Sequence, residues 1–342
     1  MALEDIPYIL PLGNFNPPGH VFPTNHLYFQ IRRSNPSDAN SPTERVALVA
    51  PGDLTMTAIR ASENLTRGTA DYSLTFVVCE EFSGYLNHVT TLVPELVDLY
   101  QPPFRWCNGP YTAGSEQFRL CEKEVAIRLG AGDPIGTVGG EPGVFAFDFG
   151  AIDGRLPALA FANPQRWSPD ERKRACALDY FTNEVKQTLQ AKLDRSIEPV
   201  CGEIEQDEPA TAQGIWFLPG TSVEDDRAGA ENQAITLAHD NVDPRLAVFA
   251  VGTSMQKNSL APGLYYFDPL ASRMVNRYFK EITADGQLYC FETRPERRPR
   301  NPTTVIAIQL TTSTTLRAEK LGRGSCGNGP WEFTANAVDY ER

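Results

Sequence analysis

Between Leu27 and about Pro164 the chain is never apolar for long. Its β-branched and aromatic residues come in short bursts, HLYFQI, RVALVAP, MTAIRA, YSLTFVVCEEF, VAIRLGAG, IGTVGG and VFAFDFGAI, each bounded by Gly, Pro, Asn or Asp. A helix needs a longer stretch with a period near 3.6, whereas bursts closed by turn formers suit strands joined by tight connections. The pattern predicts an all-β sandwich or barrel. Beyond Gln213 it returns: GIWFLPG, LAVFAVG, GLYYFDP, MVNRYFKEI, LYCFET, TTVIAIQLT, TLRAEKL and WEFTANAVDY form a second series, which suits an antiparallel barrel or sandwich.

One segment between the two series reads differently. In SPDERKRACALDYFTNEVKQTLQAKLDR, Ser168 is placed as an N-cap, Pro169 at the first helical position and Glu171 to complete a capping box. Ala175, Leu178, Phe181, Val185, Leu189 and Leu193 recur at helical spacing, predicting one helix with a single buried stripe. A chain of 342 residues exceeds what one core usually serves. The expected organisation is mainly β: a β domain over residues 1–165, a helical connector over 166–198, and a β-rich C-terminal domain of unassigned role over 199–342.

The formal charge of −12 argues against a nucleic-acid or anionic-membrane surface, because such partners need a basic footprint. The basic run RPERRPR, Arg294 to Arg300, is expected to be a solvated loop. No stretch approaches the ~20 apolar residues of a membrane helix. No signal peptide is visible, although MALEDIPYIL is compatible with a new start on a trimmed export precursor, so a secreted or periplasmic location and a cytoplasmic one both stay open. The seven cysteines contain no CxxC pair, which counts against a zinc ribbon or a dithiol redox site. Cys107 and Cys121 flank the loop NGPYTAGSEQ and are candidates for a disulfide; the odd total leaves at least one thiol free if no partner chain is involved.

Chemistry concentrates on histidine. Only four are present, and His20 and His26 stand six residues apart in PPGHVFPTNHLYF, between a Pro-Gly turn and an aromatic strand. His88 lies in the same predicted domain, next to turn chemistry. A hydrolytic zinc site commonly takes three protein ligands from His and carboxylates and leaves a position for a water whose pKa falls to ~7. His20, His26 and one acid from the β region would supply that set. Elsewhere the signals are weaker: LGAGDPIGTVGG lacks the Lys-Ser/Thr of a phosphate cradle, GTSMQ is one residue short of a nucleophile elbow, and His239 in LAHDNVDP reads as a solvated turn.

The order of these elements resembles the lysostaphin/LytM-type metallopeptidases, which cut peptidoglycan cross-bridges. The resemblance runs from about Gly13 to Pro164 and rests on the paired histidines, the Ala-Pro-Gly turn of VALVAPGDL, YLNHVTTL, AGDPIGTVGG and the closing strand FAFDFGAID. It implies an antiparallel β-sandwich, a single zinc ion and a peptide or peptidoglycan-like substrate. Two ligand positions exchange type: His26 falls where the family has Asp, and Asp148 where it has its last His. The implied metal ligands are therefore His20, His26 and Asp148, with His88 as the catalytic histidine. The family's other catalytic histidine is Ala146 here, which leaves Asp153, Tyr28, Tyr85 or a group from the second domain to replace it. Loss of a positioned proton-transfer group typically costs ~10²–10⁴ in rate. Two further readings use the same residues: a non-catalytic scaffold that binds metal, glycan or peptide, and a redox centre holding copper or iron. The GIW element, Gly214 to Trp216, also resembles the Gly-x-Trp opening of lipocalin-like barrels, though a Trp filling a barrel floor explains it equally.

Overall fold

The computed structural model describes residues 1–35, 37–38, 41–113, 115–224, 226–294 and 304–342. The basic run beyond Arg294 lies outside them. The described chain is mainly β and sandwich-like, in keeping with the strand pattern. It divides into two compact units, each discontinuous in sequence. Unit one holds Met1–Pro11, His26–Pro157 and Lys173–Ser196; unit two holds Leu12–Asn25, Ala158–Arg172 and Ile197–Arg342. These boundaries differ from the contiguous ones the sequence suggests.

Unit one contains strands β1 (Ile9–Leu10), β2 (Leu27–Gln30), β3 (Val46–Val49), β4 (Leu54–Asn64), β5 (Thr69–Cys79), β6 (Phe82–Leu92), β7 (Trp106–Ala113), β8 (Glu116–Leu129), β9 (Pro134–Val138), β10 (Ala146–Asp153) and β11 (Arg174–Ala175). The main path runs β1-β2-β10-β6-β5-β4-β8-β7; β9 joins β6 to β3, and β11 pairs with β10. Antiparallel partners share a face of the sheet. The register sets Phe29 against Phe147, and Phe149 between Leu27 and Leu86, so one face of β2, β10 and β6 is continuously apolar. The disulfide expected around NGPYTAGSEQ forms: Cys107 and Cys121 face one another on β7 and β8.

The long helix expected from Ser168 onward does not form. The capping box is made in both directions, with Ser168 N donating to Glu171 Oε2 and Glu171 N to Ser168 Oγ, but it holds only a 3₁₀ turn. Pairing of β10 with β2 ends at Phe149, which leaves Ala151 and Ile152 with an open edge, and Arg174–Ala175 fill it as a strand. A ladder bond to that edge competes with helix continuation. After a second 3₁₀ turn at Ala177–Tyr180, α-helix forms over Asn183–Gln190. The apolar positions Ala175, Leu178, Leu189 and Leu193 are buried as their period suggested, by separate elements.

Unit two consists of two four-stranded antiparallel meanders. The first is β12 (Gly214–Trp216), β13 (Ile235–His239), β14 (Ala247–Val251) and β15 (Gly263–Phe267). The second is β16 (Tyr289–Thr293), β17 (Thr304–Thr312), β18 (Thr315–Leu321) and β19 (Val338–Glu341). Reciprocal main-chain bonds stitch both margins, Phe217 with Glu341 and Tyr266 with Arg294. The shared core is aromatic: the rings of Phe249, Phe267, Phe279 and Phe291 lie 4.9 to 5.8 Å apart in mostly edge-to-face contacts. Trp216 of the GIW element is fully buried, donates from Nε1 to Ala212 O, and is covered by the Arg342 guanidinium 3.9 Å from its ring. Arg342 also donates to the carbonyls of Glu208, Thr211 and Gln213.

Next to Ile215 and Arg342 sit two carboxylates that repel one another. Asp207 accepts main-chain bonds from Ala162 and Ile215, while its own N–H donates to Glu205 Oε1. Burial, and then the Asp207 charge, push Glu205 up from 4.5 to about 7. A carboxyl raised in the fold binds its proton more tightly there than in the unfolded chain, so its ionisation removes stability as pH climbs from about 4.5 through 7. Glu205→Gln is therefore expected to be more stable than the parent at pH 8, by on the order of 1 kcal/mol after discounting for solvent screening. The difference should vanish near pH 4.5. Urea unfolding at both pH values checks this, and an equal effect at both would remove the ionisation argument.

Candidate functional site

Three strands at the middle of the unit-one sheet each deliver one group to its polar face. His26 immediately precedes β2, Asp148 is the third residue of β10, and His88 lies on β6. Because Asp148 pairs with Tyr28 on one side and Asn87 on the other, its side chain points away from Phe147 and Phe149. His88 reaches the same place through a bulge. Leu86 faces Leu74 and Val89 faces Tyr72, so Asn87 and His88 together stand opposite Ser73. His88 has φ 63°, a left-handed conformation that costs a non-glycine residue of order 1–3 kcal/mol and that clusters at functional sites.

The side chains converge on one oxygen. His26 Nε2 and His88 Nε2 each lie 3.3 Å from Asp148 Oδ2. The other nitrogen of each ring is tethered: His26 Nδ1 is 3.2 Å from the Tyr85 hydroxyl, and His88 Nδ1 is 2.9 Å from Asp71 Oδ2. His26 and Asp148 are buried, with side chains 7% and 4% exposed, whereas His88 is 42% exposed and forms the solvent side of the cluster. Burial alone would lower the His88 imidazole, but hydrogen bonds to Asp148 and Asp71, and their charges, more than reverse this and raise it to about 10. With no ion bound, the two carboxylates favour a proton on His88; an ion held by Nε2 would displace it. Asp148 Oδ1 is buried and makes no hydrogen bond among the described residues.

Tyr85 is held in place by a missing side chain. Gly150, its partner on β10, would carry a Cβ only 2.2 Å from the Tyr85 ring, so the ring occupies the space any other residue would fill. The Arg174 guanidinium of β11 lies 5.1 Å from the same ring. The open edge filled by β11 thereby supports the residue that orients His26.

His20 belongs to unit two, where its main chain pairs with Asn16 in a tight turn and its Nδ1 lies 3.7 Å from Glu231 Oε1. Of the implied ligands His20, His26 and Asp148, the unit-one cluster contains the last two, together with His88. Ala146 pairs with Gln30 on the same face as Asp148 and offers no titratable group. Asp153 instead holds Arg155 and Tyr180. Asp71 had no sequence signal, since its role follows from the β5–β6 register. The Ser254 hydroxyl of GTSMQ lies 2.7 Å from the Tyr340 hydroxyl, which accounts for it structurally.

No group of three or more His, Cys, Asp or Glu side chains among the described residues is already arranged as a metal shell. The donor chemistry of the cluster nevertheless suits a divalent ion. Two imidazole nitrogens and a carboxylate oxygen are a donor set that could hold zinc, and an outer ring nitrogen held by a hydrogen-bond partner is the usual support for a ligating histidine. No protein-family model matches the chain, and neither a curated protein nor a solved structure matches it.

Gly150→Ala should push the Tyr85 ring off His26 and destabilise unit one by about 1–3 kcal/mol. Tyr85→Phe, which removes only the hydroxyl, should cost nearer 1 kcal/mol. Both should move the His26 imidazole resonances in NMR spectra; unchanged resonances in Gly150→Ala would show that the ring does not depend on that gap.

Proposed function

We propose that unit one is a divergent metal-dependent hydrolase resembling peptidoglycan endopeptidases, with His26, His88 and Asp148 as the residues that hold the ion. The observation that carries this reading is the convergence of two imidazole Nε2 atoms on one Asp148 oxygen, with each outer nitrogen tethered. A bound divalent ion, zinc in this reading, supplies a water acidic enough to attack a peptide carbonyl near neutral pH. The chain's residues do the positioning. Asp71 orients His88, Tyr85 orients His26, and burial of Asp148 keeps competing water away. Proton transfer falls to Tyr28, whose ring packs 4.7 Å from His26 and whose Cα pairs with Asp148, since Ala146 cannot serve. Six of the seven cysteines are in disulfides, which supports an oxidising, secreted or cell-envelope location. Among the described residues no helix is long and apolar enough to cross a membrane.

The second reading, a non-catalytic scaffold that binds peptide or glycan, draws on Ala146 and on the absence of a complete shell among the described residues. Elemental analysis of the purified protein, followed by incubation with peptidoglycan and glycine-rich peptides, separates the two. The hydrolase reading expects stoichiometric zinc, lost in His26→Ala, and cleavage abolished by a chelator. Zinc-loaded protein that is retained on peptidoglycan without cleaving it supports the scaffold. Copper or iron in place of zinc points to redox chemistry, and protein that takes up no metal defeats the proposal.

A further inference from the structure

The opposite, apolar face of the unit-one sheet carries two adjacent cavities that the histidine cluster does not use. The larger, about 540 Å³, is lined by Phe76, Val78, Phe82, Phe149 and Phe181, with Cys79, Arg155 and Tyr180 among its polar groups. The smaller, about 300 Å³, is walled by Phe29, Leu48, Leu86, Phe147 and Leu189. Pro51, Ala131, Phe149 and Phe181 line both, so the cavities share a wall. Each volume lies in the ~300–1,000 Å³ range typical of small-molecule sites, and the lining is of the apolar, aromatic kind with few polar groups that such sites show.

We infer that these cavities bind the hydrocarbon chain of a neutral amphiphile, such as a long-chain alcohol or monoacylglycerol, with its headgroup at the rim formed by Arg155 and Tyr180. The walls fix the chain, because apolar surface of this extent gains most from covering by hydrocarbon. The rim fixes the charge of the head. Arg155 Nε and Nη2 are already bound by the two oxygens of Asp153, at 2.8 and 2.7 Å, and the Tyr180 hydroxyl donates to the same carboxylate. Asp53 also lines the larger cavity. An acidic headgroup would meet a guanidinium whose charge is already paired with Asp153 and a second carboxylate, whereas hydroxyls can bond to its remaining N–H groups without an ionic partner.

Cys79 makes the site testable, since it lines the larger cavity and is the one free thiol among the described residues. The neutral probe N-phenylnaphthylamine should bind the intact protein saturably and be displaced by monopalmitoylglycerol at concentrations about tenfold below those palmitate needs. Monopalmitoylglycerol should also slow labelling of Cys79 by a maleimide. Val78→Glu places a carboxylate at a strand position that is 50% exposed, so the fold should persist, while probe affinity falls about tenfold. Absence of saturable binding would overturn the inference. So would binding that neither protects Cys79 nor responds to Val78→Glu, or displacement by palmitate as readily as by the neutral lipid. None of these readouts depends on metal content or peptidoglycan cleavage.

Discussion

The two-residue repeat of strand β10 is the constraint on which unit one depends. Phe147 and Phe149 enter the apolar side together, and Asp148 is thereby committed to the other side, between Tyr28 and Asn87. A one-residue slip would bury the carboxylate among phenylalanines and expose both rings. The apolar residues therefore hold the register, and the register aims the carboxylate. Packing on one face and chemistry on the other are two consequences of a single alignment.

A carboxylate placed this deep must be compensated, because burying an isolated charge costs several kcal/mol. The chain compensates it with two imidazoles from the neighbouring strands. For His26 this requires only its position ahead of β2. For His88 it requires a bulge and a left-handed backbone, a local cost that the surrounding ladder of β5, β6 and β10 is extensive enough to sustain. Asp71 then adds a second carboxylate to the exposed side of His88, so the imidazole lies between a buried and a half-exposed acid. Gly150 and Arg174 fix Tyr85 against His26 from a third direction.

Much of this was legible in the sequence, for identifiable reasons. Strands were readable because their alternation and turn residues are local signals, and the Cys107–Cys121 pair because both flank one short loop. His26 and His88 stood out because histidines are scarce here and lie beside turn residues, whereas Asp148 entered only through the resemblance of its strand to a metallopeptidase motif. Asp71 was not legible, since its contact depends on how β5 pairs with the bulged β6, a property of two strands rather than of one. The helix expected after Ser168 misled for a related reason. Its caps and apolar period are real local preferences, but the unfilled edge of β10 at Ala151 and Ile152 offered main-chain partners that no local reading contains.

The placement of His20 follows the same logic. Counting along the chain, His20 and His26 are neighbours, and a ligand set drawn from motif order treats them as equivalent donors. The main-chain pairing of Asn16 with His20 closes a turn that points the His20 imidazole at Glu231, a residue more than two hundred positions away in the same unit. His26 instead continues directly into β2, whose alternation sends it to the polar face with Tyr28. His88, sixty-two positions beyond His26, shares its site because strand register, unlike chain order, is what brings Nε2 atoms to a common oxygen.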